Sequence, residues 1–164
     1  MNSSYISLGI DIAKAKFDCA VCVQGKWRHK AFANNNQGFE SLLDWLTVQC
    51  GDAQIRACME ATNIYWEALA QYLCDAGFYV SVINPALAKA HVQALGLRSK
   101  SDAIDSKALS LYGTQMQPPP WVAPSASERR LRSLALRLQS LIEMQTQESN
   151  RTETARADVL PSLQ

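Results

Sequence analysis

The chain has no apolar run approaching the ~20 residues needed to cross a bilayer. Its N-terminus, Met1-Asn2-Ser3-Ser4, shows no basic-then-apolar leader pattern. The expected location is therefore the cytoplasm, with no membrane partner. Histidine is scarce: His29 and His91 are the only two, which is too few for a zinc cluster of convincing spacing. The five cysteines (Cys19, Cys22, Cys50, Cys58, Cys74) are odd in number and most lie in apolar runs, as expected of reduced thiols in a core. Cys19 and Cys22 spell CxxC, but residues three apart on a strand point to opposite faces, which favours packing over a shared metal or disulfide. Glycine is limited to seven, none clustered into a phosphate loop. Charge excess is absent too: sixteen Lys+Arg against fifteen Asp+Glu leave a net +1, so any surface facing nucleic acid must be local.

What is present is an ordinary globular composition, 48% hydrophobic and 19% charged over 164 residues, enough for one domain with an appendage. Tyr5 to Ile10 is a short apolar run ending at Asp11, the profile of a buried central strand. Phe17 to Val23 and Trp27 to Ala33 read as a hairpin around Gln24-Gly25-Lys26. Asn34-Asn35-Asn36 offers a cap for a helix carrying Phe39, Leu42, Leu43 and Leu46. A strand from Gln54 to Met59 ends at Glu60; a helix over Tyr65 to Ala76 stops at Gly77; a fifth strand spans Phe78 to Ile83. A helix over Ala86 to Leu95, a basic polar loop, and a helix from Asp102 to Met116 capped by Ser101 complete the pattern. This βββαβαβα order is that of the ribonuclease-H-like fold, a five-stranded mixed sheet flanked by helices.

Gln117-Pro118-Pro119-Pro120-Trp121 reads as a stiff linker, so the expected division is a catalytic domain over 1–120 and a linker plus long helix over 121–164. That helix, from Ser127 to about Ala157, carries Leu131, Leu134, Leu138 and Leu141 at alternating spacings of three and four, a coiled-coil seam that predicts a homo-oligomer, dimer or tetramer. An apolar stripe alone does not name its partner.

Four acids carry the chemistry. Asp11 and Glu60 each fall immediately after a buried strand, and the first and fourth strands are neighbours in this fold; Asp102 and Asp105, spaced i and i+3, share one face at a helix start. Singly, such acids cap helices or face water. Together at one end of a sheet they would repel one another, and a hard divalent cation, Mg²⁺ or Mn²⁺, is the usual remedy. Nucleases place two such ions about 3.5–4 Å apart to activate attacking and leaving oxygens. Lys14 and Lys16 follow Asp11, Arg98 and Lys100 precede Asp102, and Arg129, Arg130, Arg132 and Arg137 lie on the long helix; these are the candidate phosphate contacts.

Gly9-Ile10-Asp11-Ile12-Ala13-Lys14, Glu60-Ala61-Thr62, Val82-Ile83-Asn84-Pro85 and Lys100-Ser101-Asp102-Ala103-Ile104-Asp105 resemble the DEDD transposases of bacterial insertion sequences. That family includes the pilin-gene invertases and bridge-RNA-guided recombinases, and its N-terminal domain resembles the RuvC resolvase. The resemblance implies a bacterial, nucleoid-associated, Mg-dependent DNA transposase or recombinase with Asp11, Glu60, Asp102 and Asp105 as metal ligands. It also implies DNA and a structured guide RNA as partners, and a nucleophilic serine in a C-terminal domain beyond this chain, without which the fragment is catalytically incomplete. Two positions depart from the pattern: Asn63 stands where Gly is often found, and Ser106 where Ala commonly follows the last Asp. Competing readings are a non-catalytic nucleic-acid-binding module and, against the missing phosphate loops, a fragment of an actin-like sugar kinase or ATPase.

Overall fold

The computed structural model describes residues 5–96 and 101–154. The chain forms β1 (Ile6–Ile12), β2 (Lys16–Val23), β3 (Lys26–Ala33), α1 (Asn36–Cys50), β4 (Ile55–Glu60), α2 (Glu67–Asp75), β5 (Tyr79–Ile83), α3 (Pro85–Ala94), α4 (Asp102–Met116) and α5 (Ala126–Thr154). The sheet order is β3-β2-β1-β4-β5, with β1, β2 and β3 antiparallel and β4 and β5 parallel to β1. This is the ribonuclease-H-like topology that the sequence predicts.

Alternation along the strands sorts the residues into two unlike faces. On one, Leu8, Ile10, Phe17, Cys19, Val21 and Met59 pack against Phe39, Leu42 and Leu46 of α1 and Leu69 and Leu73 of α2. Cys19 is buried there while Cys22 is not, as the packing reading of the CxxC expects, and both thiols are free. The other face, beneath α4, is lined by small residues. Ser110 Oγ donates to the Ser7 carbonyl at 2.7 Å, and Ser106 is fully buried. Serine in place of alanine at 106 therefore leaves the packing intact, its hydroxyl bonded back to the Ala103 carbonyl at 3.3 Å.

Local chemistry explains most element ends. Asn35 caps α1, its side chain accepting from Gly38 N at 2.9 Å. Asn84 caps α3, accepting from Ala86 N at 2.8 Å, and Pro85 takes the first helical position, one residue earlier than expected. α2 starts later than expected, at Glu67, because Asn63 adopts φ +58 and turns the chain before it. Asparagine tolerates this left-handed conformation, so the departure from glycine there is accommodated.

The proline segment lies along the β5 edge. Trp121 N donates to the Val80 carbonyl at 2.7 Å, Ser81 Oγ to the Pro118 carbonyl at 2.9 Å, and Tyr79 OH to the same carbonyl at 3.0 Å. An exposed strand edge is thereby covered. Trp121 stacks edge-on against Trp66, ring centroids 5.5 Å apart.

The chain divides into two compact units, Met1–Val122 and Ala123–Gln164. Within the second, α5 exposes Leu131, Leu134, Leu138 and Leu141 by 68, 59, 60 and 45%. The helix end expected near Ala157 lies outside the described residues. Among the described residues no helix is long and apolar enough to cross a membrane.

Candidate metal centre

Asp11 and Glu60 lie within their strands rather than just after them. Asp11 is the penultimate residue of β1, held in the antiparallel ladder opposite Asp18, and Glu60 is the last of β4. The parallel register aligns Ile10 with Met59, so the two acids emerge side by side from adjacent strands. α4 crosses the same face and brings Asp102 and Asp105 in its first turn, with Ser101 capping it by accepting from Ile104 N at 3.3 Å. Ser101 is thus the cap, as the sequence predicts.

Asp11, Glu60 and Asp105 line a cleft of about 560 Å³, together with Lys89 and His91 of α3 and Tyr112 of α4. Asp102 does not line it. It accepts from Lys16 Nζ at 2.6 Å, and the same ammonium lies 3.0 Å from Asp18. Glu60 is also engaged, accepting from the Thr62 hydroxyl. Among the described residues, no group of three His, Cys, Asp or Glu side chains is placed to grip one ion.

The electrostatics nonetheless register the cluster. Asp11 is pushed up from 3.8 to about 6, first by burial and then by the negative charges of Asp105, Asp102, Glu60 and Asp18. Asp102 is held below the ordinary carboxylate range, chiefly by its hydrogen bond to Lys16, and Lys16 is raised by the same contact. An all-oxygen donor set around a half-buried acid with excess negative charge fits a hard divalent cation. The fit requires Glu60 and Asp102 to rotate from their present partners.

Of the basic residues singled out in the sequence, the described ones belong to different elements. Lys14 is exposed in the β1–β2 turn, whereas Lys16 is committed to Asp18 and Asp102. Arg98 and Lys100 lie outside the described residues. Arg129 and Arg130 are exposed on α5, Arg129 donating to the Pro124 carbonyl at 2.6 Å. Sequence reasoning missed Asp18, which lies inside β2; it is 4% exposed and lies 3.0 Å from His29 Nε2. It also missed the α3 wall, where His91 is 8% exposed, its Nε2 without a hydrogen-bond partner and its ring edge-on to Tyr112.

Several known proteins are similar to this chain in sequence or in structure. Two curated pilin gene-inverting proteins, from Moraxella bovis and Moraxella lacunata, are each 36% identical over 135 residues, covering 82% of this chain. The chain spans 41% of their length. Among solved structures, RuvC of T. thermophilus in complex with a Holliday junction substrate aligns at 16% identity and a TM-score of 0.49, over 72% of this chain and 100% of that one. A second Thermus thermophilus RuvC structure aligns at 16% identity and a TM-score of 0.49, over 71% of this chain and 99% of that one. The profile of a transposase family, the DEDD transposases of the IS110 type, matches residues 8–159. With nearly its whole length inside that match, the chain belongs to the DEDD transposase family of the IS110 type.

Proposed function

We propose that residues 1–120 form the metal-dependent catalytic domain of a transposase or site-specific recombinase that cleaves and rejoins DNA strands in insertion-sequence transposition. Asp11, Glu60, Asp102 and Asp105 hold Mg²⁺ or Mn²⁺ in this reading. The observation that carries it is the meeting of Asp11, Glu60 and Asp105, far apart in the chain, on one cleft where burial and mutual repulsion push Asp11 to about 6. The naming of the two relatives for inverting a pilin gene supports a DNA rearrangement.

A divalent ion bound there supplies Lewis-acid stabilisation of the phosphoryl oxygens. The protein's own contribution is positional: β1 and β4 fix two carboxylates on a rigid sheet, and α4 brings two more. Lys14, Arg98, Lys100, Arg129 and Arg130 are the proposed contacts to phosphates of DNA, or of a guide RNA. The covalent attack is assigned to a serine outside these residues, in line with the resemblance and with a chain that spans 41% of its relatives.

The test is strand cleavage by the full-length protein on supercoiled DNA carrying the element's ends, in Mg²⁺, in Mn²⁺ and in EDTA, with any co-purifying nucleic acid sequenced. Cleavage that requires the cation supports the reading. Cleavage undiminished in EDTA refutes the metal centre, and DNA binding with no cleavage under any condition favours the binding-module alternative.

The leucine row of α5 predicts self-association through the helix, with residues 121–164 acting as linker and oligomerisation element. In sedimentation equilibrium the chain is expected to form dimers or tetramers, and Leu134→Asp with Leu138→Asp is expected to weaken that at least about tenfold, since each buries a charge in an apolar seam. A wild-type monomer at high concentration, indifferent to both changes, would refute it.

A further inference from the structure

Lys16 enters the acid cluster from the start of β2. Its Nζ lies 2.6 Å from Asp102 Oδ2 and 3.0 Å from Asp18 Oδ2. Asp18 is 4% exposed, faces α4 directly across the ladder from Asp11, and has its second oxygen 3.0 Å from His29 Nε2. One ammonium thus ties a buried acid beside Asp11 to the one member of the ligand set that does not line the cleft.

The two halves of this bridge differ in kind. The Asp18 side chain is 6% exposed and fixed by its strand, so it anchors Lys16. The Asp102 side chain is 54% exposed and the Lys16 side chain 50%, and an ion pair so open to water is worth little and exchanges readily. A divalent ion at Asp11 offers Asp102 twice the charge at direct contact. Rotation of the Asp102 side chain from Lys16 toward the cleft would then complete the ligand set.

We propose that Lys16 is a resident counter-cation of the metal centre: anchored by Asp18, it holds Asp102 until a divalent ion takes that carboxylate over, and so it sets the centre's cation affinity. The inference rests on the reading of the four acids as metal ligands. Asp18 is then a positioning residue that acts through Lys16, not a fifth ligand.

The experiment is calorimetric titration of Mn²⁺, without DNA, into the wild-type chain and into Lys16→Met and Lys16→Arg. Lys16→Met is expected to bind about tenfold more tightly, because Asp102 and Asp18 lose the charge that competes with the ion, while Lys16→Arg stays near wild type. Wild-type binding with Lys16→Met unchanged or weaker overturns the role of Lys16 and leaves the metal centre standing. A wild type that binds no Mn²⁺ overturns both. A second readout needs no variant: the Lys16 Nζ–Hζ NMR signal is expected to shift on saturation with Mg²⁺. Its constancy while signals of Asp11 and Glu60 move would also overturn the proposal.

Discussion

Asp11→Asn is expected to lower strand cleavage by the full-length protein by about a thousandfold or more, and at the same time to make the metal-free fold more stable above pH 6. The first effect follows from the proposed role of Asp11 as a central charged ligand, whose removal would forfeit several kcal/mol of transition-state stabilisation. The second follows from the sign of the Asp11 shift, from 3.8 to about 6. A raised carboxyl pKa means that the native state holds this proton more firmly than the unfolded chain does. Stability therefore declines as pH rises between those two values, and the whole penalty is present above pH 6. A two-unit shift corresponds to about 3 kcal/mol at full strength; for a half-buried group that water screens, about 1–2 kcal/mol is the appropriate scale. Urea denaturation in EDTA should show Asp11→Asn more stable than wild type at about pH 7.5, with the difference shrinking toward pH 4. Added Mg²⁺ should raise the midpoint of the wild type alone. Equal stability of the two proteins at pH 7.5 would remove the electrostatic account of the site.

The architecture was legible in the sequence because its signals are local and mutually consistent. Short strand-like segments alternate with helical periodicity, and asparagines stand at both α1 and α3 starts where caps are needed. The neighbouring positions of Asp11 and Glu60 follow from strand order alone. What stayed hidden depends on register and on side-chain rotamers. The β1–β2 turn closes with Ala13 N donating to the Lys16 carbonyl at 2.9 Å, which sets Asp18 opposite Asp11. Counting back from a tight turn would have flagged that pair, but a turn one residue longer would have put Asp18 on the other face. No sequence rule places Lys16 between two acids 86 and two residues away, because long flexible side chains choose partners only once the sheet and α4 are assembled. The His91 and Tyr112 wall is likewise a product of α3 packing on α4. An apolar helix face with one histidine reads as core, and His91 is indeed nearly buried.

The centre's geometry depends on how closely α4 approaches the sheet, and Gly9→Ala is expected to break that approach. Gly9 lies on β1 two residues before Asp11, on the face that α4 covers. A methyl group there would collide with the Ser106 carbonyl oxygen and the Ser110 amide nitrogen, and would stand 2.9 Å from Ser110 Cα. All three are backbone atoms of one helix, so no side-chain rotation relieves the clash. Either α4 retreats or β1 bends. Retreat would stretch the buried Ser110 to Ser7 hydrogen bond and carry Asp102 and Asp105 away from Asp11 and Glu60 as a block. The expected cost is about 3 kcal/mol in urea unfolding, together with loss of measurable Mn²⁺ binding in whatever fraction remains folded. Gly25→Ala provides the contrast: it sits at φ +76 in the β2–β3 turn with open space around it, so strain of about 1 kcal/mol and unchanged cation affinity are expected. If Gly9→Ala kept both wild-type stability and wild-type Mn²⁺ affinity, the ligands on α4 would not be clamped by contact with β1, and the case for a preorganised centre would fail with that clamp.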